Sequence, residues 1–105
     1  MKATFKMIFK NEDGETLLQC PHCGDVFLHQ YKTEIFDRDE DDLKGLHVTT
    51  DRNDGLKVNL DLKNNPSQRR DGLRIHFFCE VCNASSALEI YQHKGQTFVK
   101  FYKKK

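Results

Sequence analysis

Two cysteine pairs with the same spacing are the residues of this sequence best suited to do chemistry. The first pair, Cys20 and Cys23, lies in CPHCG, and the second pair, Cys79 and Cys82, lies in CEVCN. A pair separated by two residues can be a redox dithiol, or it can be half of a four-sulfur metal site. Which of the two is present decides most of what can be said about function.

The redox alternative is a thiol-disulfide oxidoreductase that uses CPHC at 20–23, the active-site tetrapeptide of strongly oxidising thioredoxin-fold enzymes. Such a site needs a helix that begins at the reactive cysteine, because unpaired N–H groups and the helix dipole lower the thiol pKa. The residues after Cys23, GDVFLHQYKTEIF, are rich in β-branched and aromatic types and contain no alanine. They favour a strand over a helix, and a redox role would leave Cys79 and Cys82 unexplained.

The metal alternative accounts for all four cysteines. Zinc takes four thiolates at the corners of a tetrahedron, and each Cys-x-x-Cys turn supplies two of them. Each turn closes with a residue of positive φ. The residues that follow the pairs, Gly24 and Asn83, enter that region most easily. We therefore predict one structural Zn²⁺ per chain with the four cysteines as its ligands, and we expect the His22 side chain to turn away from the metal.

These motifs resemble the zinc-ribbon superfamily, in which a strand leads into each of two zinc knuckles. The resemblance covers about residues 17–28 and 73–102 and implies metal binding within a small antiparallel sheet. The sequence departs from the family in the 55 residues between Cys23 and Cys79, where ribbons commonly have ~15–20. The run NPSQRRDGLRIHFFCEVC also resembles small uncharacterised bacterial and phage zinc-ribbon proteins.

Alternating apolar and polar residues, separated by turn signals, predict an all-β fold around the knuckles. An inserted β-hairpin over about residues 37–66 would expand the ribbon between the two cysteine pairs. The predicted strands are ATFKMIFK and ETLLQC on either side of the NEDG turn, then residues 31–36, 45–51, 55–63, 73–79, 86–92 and 96–102.

The strand predicted over 55–63 has one apolar face and one polar face. Its apolar residues, which alternate with polar ones, are Leu56, Val58, Leu60 and Leu62. An antiparallel sheet with one buried side has this pattern. We expect these four side chains to face a core that they share with Leu73, Ile75 and Phe77.

Length and composition fit one small domain. The chain has 105 residues and a mass of 12.3 kDa, which predicts a single domain over 1–105 with a basic tail at 103–105. The apolar opening is interrupted by Lys6 and predicts neither a signal peptide nor a membrane span. We therefore expect a cytoplasmic protein, and we expect it to be a monomer. In the cytoplasm paired cysteines are metal ligands or redox catalysts more often than structural disulfides.

Charge is small in total but unevenly distributed. The formal net charge of +1 excludes a globally basic nucleic-acid-binding protein, whereas residues 37–42 (DRDEDD) carry five acids and residues 94–105 carry five lysines. Exposed aromatic residues among cations can stack on bases and contact phosphates. The candidate nucleic-acid surface comprises Arg69, Arg70, Arg74, Phe78, Lys100, Lys103, Lys104 and Lys105.

The acidic run at 37–42 offers an alternative to the nucleic-acid surface. It could dock on a basic protein partner, which would make the chain an adaptor or an inhibitor.

The sequence contains no recognisable catalytic arrangement. An all-cysteine zinc site has no open position for water, and the four remaining histidines, His29, His47, His76 and His93, have no spacing typical of catalysis. We therefore expect surface histidines and a non-enzymatic module that mediates macromolecular interaction.

Overall fold

The chain forms strands without helices wherever its structure is described. The computed structural model describes the backbone of Met7–Phe9 and all of residues 16–104. The strands are β1 (Met7–Phe9), β2 (Thr16–Leu18), β3 (Leu28–Asp37), β4 (Leu46–Asp51), β5 (Gly55–Asn59), β6 (Gly72–Cys79), β7 (Ser85–His93) and β8 (Gln96–Lys103).

Six of these strands form one antiparallel sheet in the order β5-β4-β3-β6-β7-β8, and β1 pairs with β2 in a separate hairpin. This confirms the predicted all-β class. The sheet consists of two meanders, β3-β4-β5 and β6-β7-β8, which meet where β3 pairs with β6. Tyr31 forms a bulge in β3, because the register shifts between Gln30 and Lys32.

The hairpin turns have local chemical causes. Between β4 and β5 the Asp51 carboxylate accepts hydrogen bonds from the backbone N–H groups of Asn53 and Asp54, and Gly55 follows with a φ of 77°. Between β7 and β8, Lys94 and Gly95 both have positive φ. Positive φ at both central residues of a two-residue turn matches the twist of the flanking strands.

The two faces of the sheet differ sharply in chemistry. One row of cross-strand neighbours runs Thr49, Glu34, Arg74, Glu89 and Lys100, from β4 to β8. We call this side of the sheet the polar face. Another row runs Val58, Val48, Ile35, Leu73, Ile90 and Val99, with one residue on each of the six strands. We call that side the aliphatic face.

The polar face is the one that the chain covers with its own loop. The loop over residues 60–71 lies against it: the Asn64 carbonyl accepts a hydrogen bond from Arg74 at 2.9 Å, and a Cβ at Gly72 would lie 2.8 Å from Pro66. The Phe36 side chain is fully buried on this face and stacks on His47 with ring centroids 4.2 Å apart. Glycine at position 72 therefore leaves space for the loop.

The expected core around the strand at 55–63 is wrong for Leu56, Val58 and Leu60, whereas Leu62 is partly buried. Strand β5 ends at Asn59, because the side chains of Asn59 and Asp61 accept hydrogen bonds from the backbone N–H groups of residues 61 and 63 and turn the chain out of the extended conformation. Leu60 lies beyond the strand and is 68% exposed. Leu56 and Val58 share rows with Ile75 and Leu73 as expected, but they are 69% and 57% exposed.

Candidate metal centre

The two cysteine turns have the same backbone conformation. The Gly24 N–H donates to the Cys20 carbonyl at 2.8 Å, and the Asn83 N–H donates to the Cys79 carbonyl at 2.9 Å. Gly24 has a φ of 84° and Asn83 a φ of 61°. The prediction of positive φ at these two positions is confirmed, and it follows that the turns are two copies of one knuckle.

The four sulfur atoms form one cluster. All of them lie within 4.8 Å of one another, and the short contacts are 3.7 Å between Cys20 and Cys82 and 3.6 Å between Cys23 and Cys79. Sulfur atoms around a tetrahedral zinc, with Zn–S bonds near ~2.3 Å, would be about 3.8 Å apart. The cysteines are free thiols, so the donor set and its spacing fit one metal ion.

Backbone N–H groups point at the sulfur atoms and favour thiolates. The His22 N–H lies 3.4 Å from the Cys20 sulfur, and the Cys82 N–H lies 3.5 Å from the Cys79 sulfur. The N–H groups of Cys82 and Val81 lower the pKa of the Cys79 thiol to about 7.

A second thiolate beside the first is disfavoured without a cation. The Asp25 N–H lowers the pKa of the Cys23 thiol, but desolvation and the sulfur atoms of Cys79, Cys82 and Cys20 outweigh it and raise that pKa to about 12. A bound divalent cation reverses this balance, because its charge stabilises coordinating thiolates. The protein thus gathers four sulfur donors that need a cation to ionise together.

The cluster lies at one end of the junction between β3 and β6. Leu28 at the start of β3 pairs with Cys79 at the end of β6, and the Phe27 carbonyl accepts a hydrogen bond from the Glu80 N–H at 2.9 Å. The first cysteine of each pair is buried, at 2% exposure for Cys20 and 0% for Cys79. A metal held here would connect chain segments that are far apart in sequence.

No helix follows Cys23 in the part of the chain that the structure describes, although a redox dithiol requires one. The residues after Cys23 are irregular as far as Phe27, and β3 begins at Leu28. The His22 ring turns away from the sulfur atoms toward the Ser85 carbonyl, which lies 2.8 Å from Nε2. The cluster is therefore made of cysteine sulfur atoms and has neither a helix dipole nor a histidine ligand.

The arginines of the predicted nucleic-acid surface are held by acids of the same chain. Arg69 pairs with Asp41 at 3.0 Å, and Arg70 pairs with Glu40 at 2.8 Å. These pairs bring the acidic run at 37–42 onto the loop over 60–71. The acidic run and these two arginines, which belong to the two alternative partner sites, thus form one unit.

The remaining members of that surface are dispersed. Arg74 is largely buried beside Glu89 at 2.8 Å, and Lys104 donates to Tyr31 at 2.9 Å. Phe78 is 36% exposed and stacks on His29 with ring centroids 5.1 Å apart. Lys100 lies over the Tyr102 ring and Lys103 is exposed, whereas Lys105 lies outside the described residues.

A buried polar network on the polar face was missed by the sequence reasoning. Glu34 contacts His76 at 2.7 Å, His47 at 3.1 Å and Arg74 at 3.4 Å. The expectation of a surface histidine is wrong for His76, which is 6% exposed and accepts a hydrogen bond at Nδ1 from Lys104 at 2.8 Å. The alternation of LRIHFFC placed His76 beside Arg74, but no sequence signal identified Glu34 as their partner.

Glu34 carries the charge at the centre of this network. Burial raises the pKa of its carboxyl, but the hydrogen bond from His76 and the charge of Arg74 outweigh burial and lower the pKa to about 2. The Lys104 N–H occupies Nδ1 of His76, so Nε2 carries the proton donated to Glu34. The hydrogen bonds and ion pairs of this network thus connect the side chains of strands β3, β4 and β6.

Comparison with other proteins adds no further assignment. No helix among residues 16–104 is long and apolar enough to cross a membrane. Searches against models of protein families, curated proteins and solved structures found no match to this chain.

Proposed function

We propose that this chain is a structural zinc-binding module without catalytic activity that mediates interaction with another macromolecule. The observation that carries the proposal is the four-sulfur cluster built from two matching knuckles. Zinc fits this donor set, because an all-thiolate tetrahedron is one of the usual structural zinc sites. Four protein ligands fill the coordination shell and leave no position for a catalytic water.

The zinc in this proposal holds the two meanders together. Cys20 and Cys23 precede β3, whereas Cys79 ends β6 and Cys82 lies in the turn that follows. Because a metal site of this kind does not exist in the unfolded chain, its binding free energy becomes folding free energy, on the order of ~10 kcal/mol. The site acts on stability and leaves the aliphatic face of the sheet free for other uses.

Native mass spectrometry of the full chain, before and after treatment with a chelator, tests the zinc assignment. We expect one zinc ion per chain, loss of folded structure on chelation, and recovery when zinc is restored. Cys79→Ser should lose the metal, whereas the neighbouring His22→Ala should keep it. A folded metal-free protein with a Cys20–Cys23 disulfide would contradict the proposal and favour the oxidoreductase.

The partner in this proposal is nucleic acid or protein. Nucleic acid is supported by the exposed Phe78 ring near the metal centre and by the exposed lysines of β8, Lys100 and Lys103. A protein partner is supported by the pairing of Arg69 and Arg70 with acids, because paired arginines offer less charge to phosphates. It is also supported by exposed apolar residues on the sheet.

A further inference from the structure

A groove on the polar face of the sheet is walled by aromatic rings. It lies between the loop over 60–71 and the β7–β8 hairpin, has a volume of about 440 Å³, and is lined by Pro66, Gln68, Tyr91, His93 and Phe98. Tyr91 and Phe98 are cross-strand neighbours with ring centroids 5.6 Å apart, and the His93 ring lies 6.2 Å from that of Phe98. Pockets for small ligands have volumes in this range and a similar lining.

The polar groups of this groove are free to bind a ligand. The Tyr91 hydroxyl, the His93 ring nitrogens and the Gln68 side-chain amide form no hydrogen bond with any residue that the structure describes. None of the five lining residues carries a permanent charge. The groove therefore fits a neutral flat ring whose edges donate and accept hydrogen bonds, and a charged group would find no counter-charge there.

Strand β8 extends the groove with alternating aromatic and basic side chains. On the polar face it carries Phe98, Lys100 and Tyr102, and Lys104 follows just after the strand ends. Because β8 is an edge strand, a long ligand can lie along it. Lys100 is exposed, and its Nζ lies 5.2 Å from the centroid of the Tyr102 ring. These four positions contain no acid.

The positive charge of Lys100 is available to a ligand. Its cross-strand neighbour Glu89 is buried and is already bound by Arg74 at 2.8 Å and by the Tyr102 hydroxyl at 2.8 Å. Lys100 forms no ion pair within the described part of the chain. Phe98 and Lys100 are two positions apart on one strand, which is about 7 Å. A ring in the groove and an anion on Lys100 can therefore belong to one molecule.

We infer that this surface binds single-stranded nucleic acid, with one unstacked base in the groove and a neighbouring phosphate against Lys100. A nucleotide joins a flat ring with hydrogen-bonding edges to an anion, and the surface accommodates that pair of groups. Aromatic rings accept any base by stacking, and cations beside them hold the phosphate backbone. A base inside a duplex is stacked on both faces and paired, so it cannot enter the groove.

A protein segment fits this surface less well. An aliphatic or proline side chain would leave the three polar groups of the groove without partners and Lys100 without a counter-charge. The inference rests on the proposed function and names its partner. Its contact residues differ from the arginines and Phe78 that the sequence suggested.

Fluorescence anisotropy with labelled oligonucleotides measures this binding for the full zinc-loaded chain. The probes are oligo-dT and oligo-U of about 12 nucleotides, within the range that small single-strand-binding domains cover, and a duplex of oligo-dT with oligo-dA. We expect a single strand to bind more tightly than the duplex, and added salt to weaken the binding. The tighter of the two single strands identifies DNA or RNA as the source of the ligand.

Two variants test the groove itself. Phe98→Leu removes the ring and keeps an apolar side chain, and it should weaken single-strand binding about 5-fold or more, because one stacked base contributes at least that much. Phe27→Leu is the matched control, since Phe27 is 57% exposed and lies outside the groove. Tyr91→Phe loses only the hydroxyl and should also weaken binding, which provides a test that does not depend on the folding of Phe98→Leu.

Lys100→Gln tests the phosphate contact. It should weaken binding and lower the slope of log affinity against log salt concentration by about 0.7, the value for one phosphate contact on a single strand. Lys57→Gln makes the same change on an exposed residue of β5, the opposite edge strand, and should leave the slope unchanged.

Three results would overturn the inference. Equally tight binding of the duplex would mean that no base enters the groove. A loss for Phe98→Leu no larger than that for Phe27→Leu, with folding and zinc content intact, would place the contact elsewhere. Absence of binding to every probe at low salt would leave the groove to a protein partner. None of these results contradicts the structural zinc, because zinc content and circular dichroism report on it separately.

Discussion

Gly24 and Asn83 occupy the same position in two turns that are far apart in sequence. Each has positive φ, at 84° and 61°, and each donates its N–H to the carbonyl of the cysteine four residues earlier, Cys20 or Cys79. A glycine and an asparagine meet the same requirement by different means. Glycine has no Cβ to clash, and asparagine is one of the non-glycine residues that most readily enter this region.

Gly24→Ala should weaken metal binding as well as folding. A Cβ at position 24 meets no other atom within 4 Å, so the cost comes from the backbone conformation, about 1–2 kcal/mol. Gly55→Ala is the matched control, because Gly55 also has positive φ and open space but begins β5 and belongs to neither knuckle. Both variants should lose stability in urea, and Gly24→Ala alone of the two should lose zinc to a competing chelator at lower chelator concentration. Equal zinc retention would show that the turn does not set metal affinity.

Removing the Glu34 charge should destabilise the protein most at neutral pH. The pKa of Glu34 falls from 4.5 to about 2 in the folded chain. Its stabilising contribution is therefore complete above the unfolded pKa and is lost as pH falls from about 4.5 to about 2. The difference in unfolding free energy between the natural protein and Glu34→Gln should shrink over that range.

The comparison is made at pH values where both proteins still hold zinc and remain folded, because acid also protonates the thiolates. Glu80→Gln makes the same chemical change in the exposed pair with His29, where surface ion pairs contribute about 0–1 kcal/mol. A difference for Glu34→Gln that is as small as that for Glu80→Gln would mean that the buried network does not stabilise the sheet.

Truncation to alanine should lower the unfolding free energy strongly at Phe36 and hardly at all at Leu60. Phe36 is fully buried against His47, so Phe36→Ala should cost about 3–5 kcal/mol. Leu60 is 68% exposed after the end of β5, so Leu60→Ala should change stability by less than ~0.5 kcal/mol. Chemical denaturation of the zinc-loaded variants measures both, and a large cost at Leu60 would restore the core expected from the sequence.

Any binding to nucleic acid should depend on the exposed lysines more than on the arginines. Lys103→Gln should weaken binding to short single strands and reduce its salt dependence, because each phosphate contact releases a counterion. Arg70→Gln should have a smaller effect, since Glu40 already neutralises Arg70. A titration with single-stranded DNA and RNA at two salt concentrations distinguishes these outcomes. Absence of binding at low salt would leave a protein partner.

The metal cluster could be predicted from the sequence because the residues that define each half of it are close together in the chain. Two cysteines, a two-residue spacing and a residue tolerant of positive φ define each knuckle, and Gly24 and Asn83 could be identified without knowing the fold. The strand class followed from alternation for the same reason. Both are properties of a few consecutive residues.

The burial pattern could not be predicted, because it depends on contacts between distant segments. Alternation placed Val58 and Leu73 on one side of the sheet but could not tell which side the loop over 60–71 would cover. Likewise, the pairing of Arg70 with Glu40 joins residues that are 30 positions apart, and neither residue's neighbours indicate it. The position of His76 beside Glu34 is a third case.

One cysteine pair belongs to the half of the chain that contains β3 and the other to the half that contains β6, and this division has a consequence for folding kinetics. Each meander can form early from hairpins between consecutive strands, whereas joining β3 to β6 closes a long loop and is slow. Before that step, each half of the chain already carries two sulfur donors. An ion captured by one half can then recruit the other, so the rate of the slowest step should rise with the concentration of free metal. The cell's metal supply would thus set how fast this protein matures as well as how stable it is.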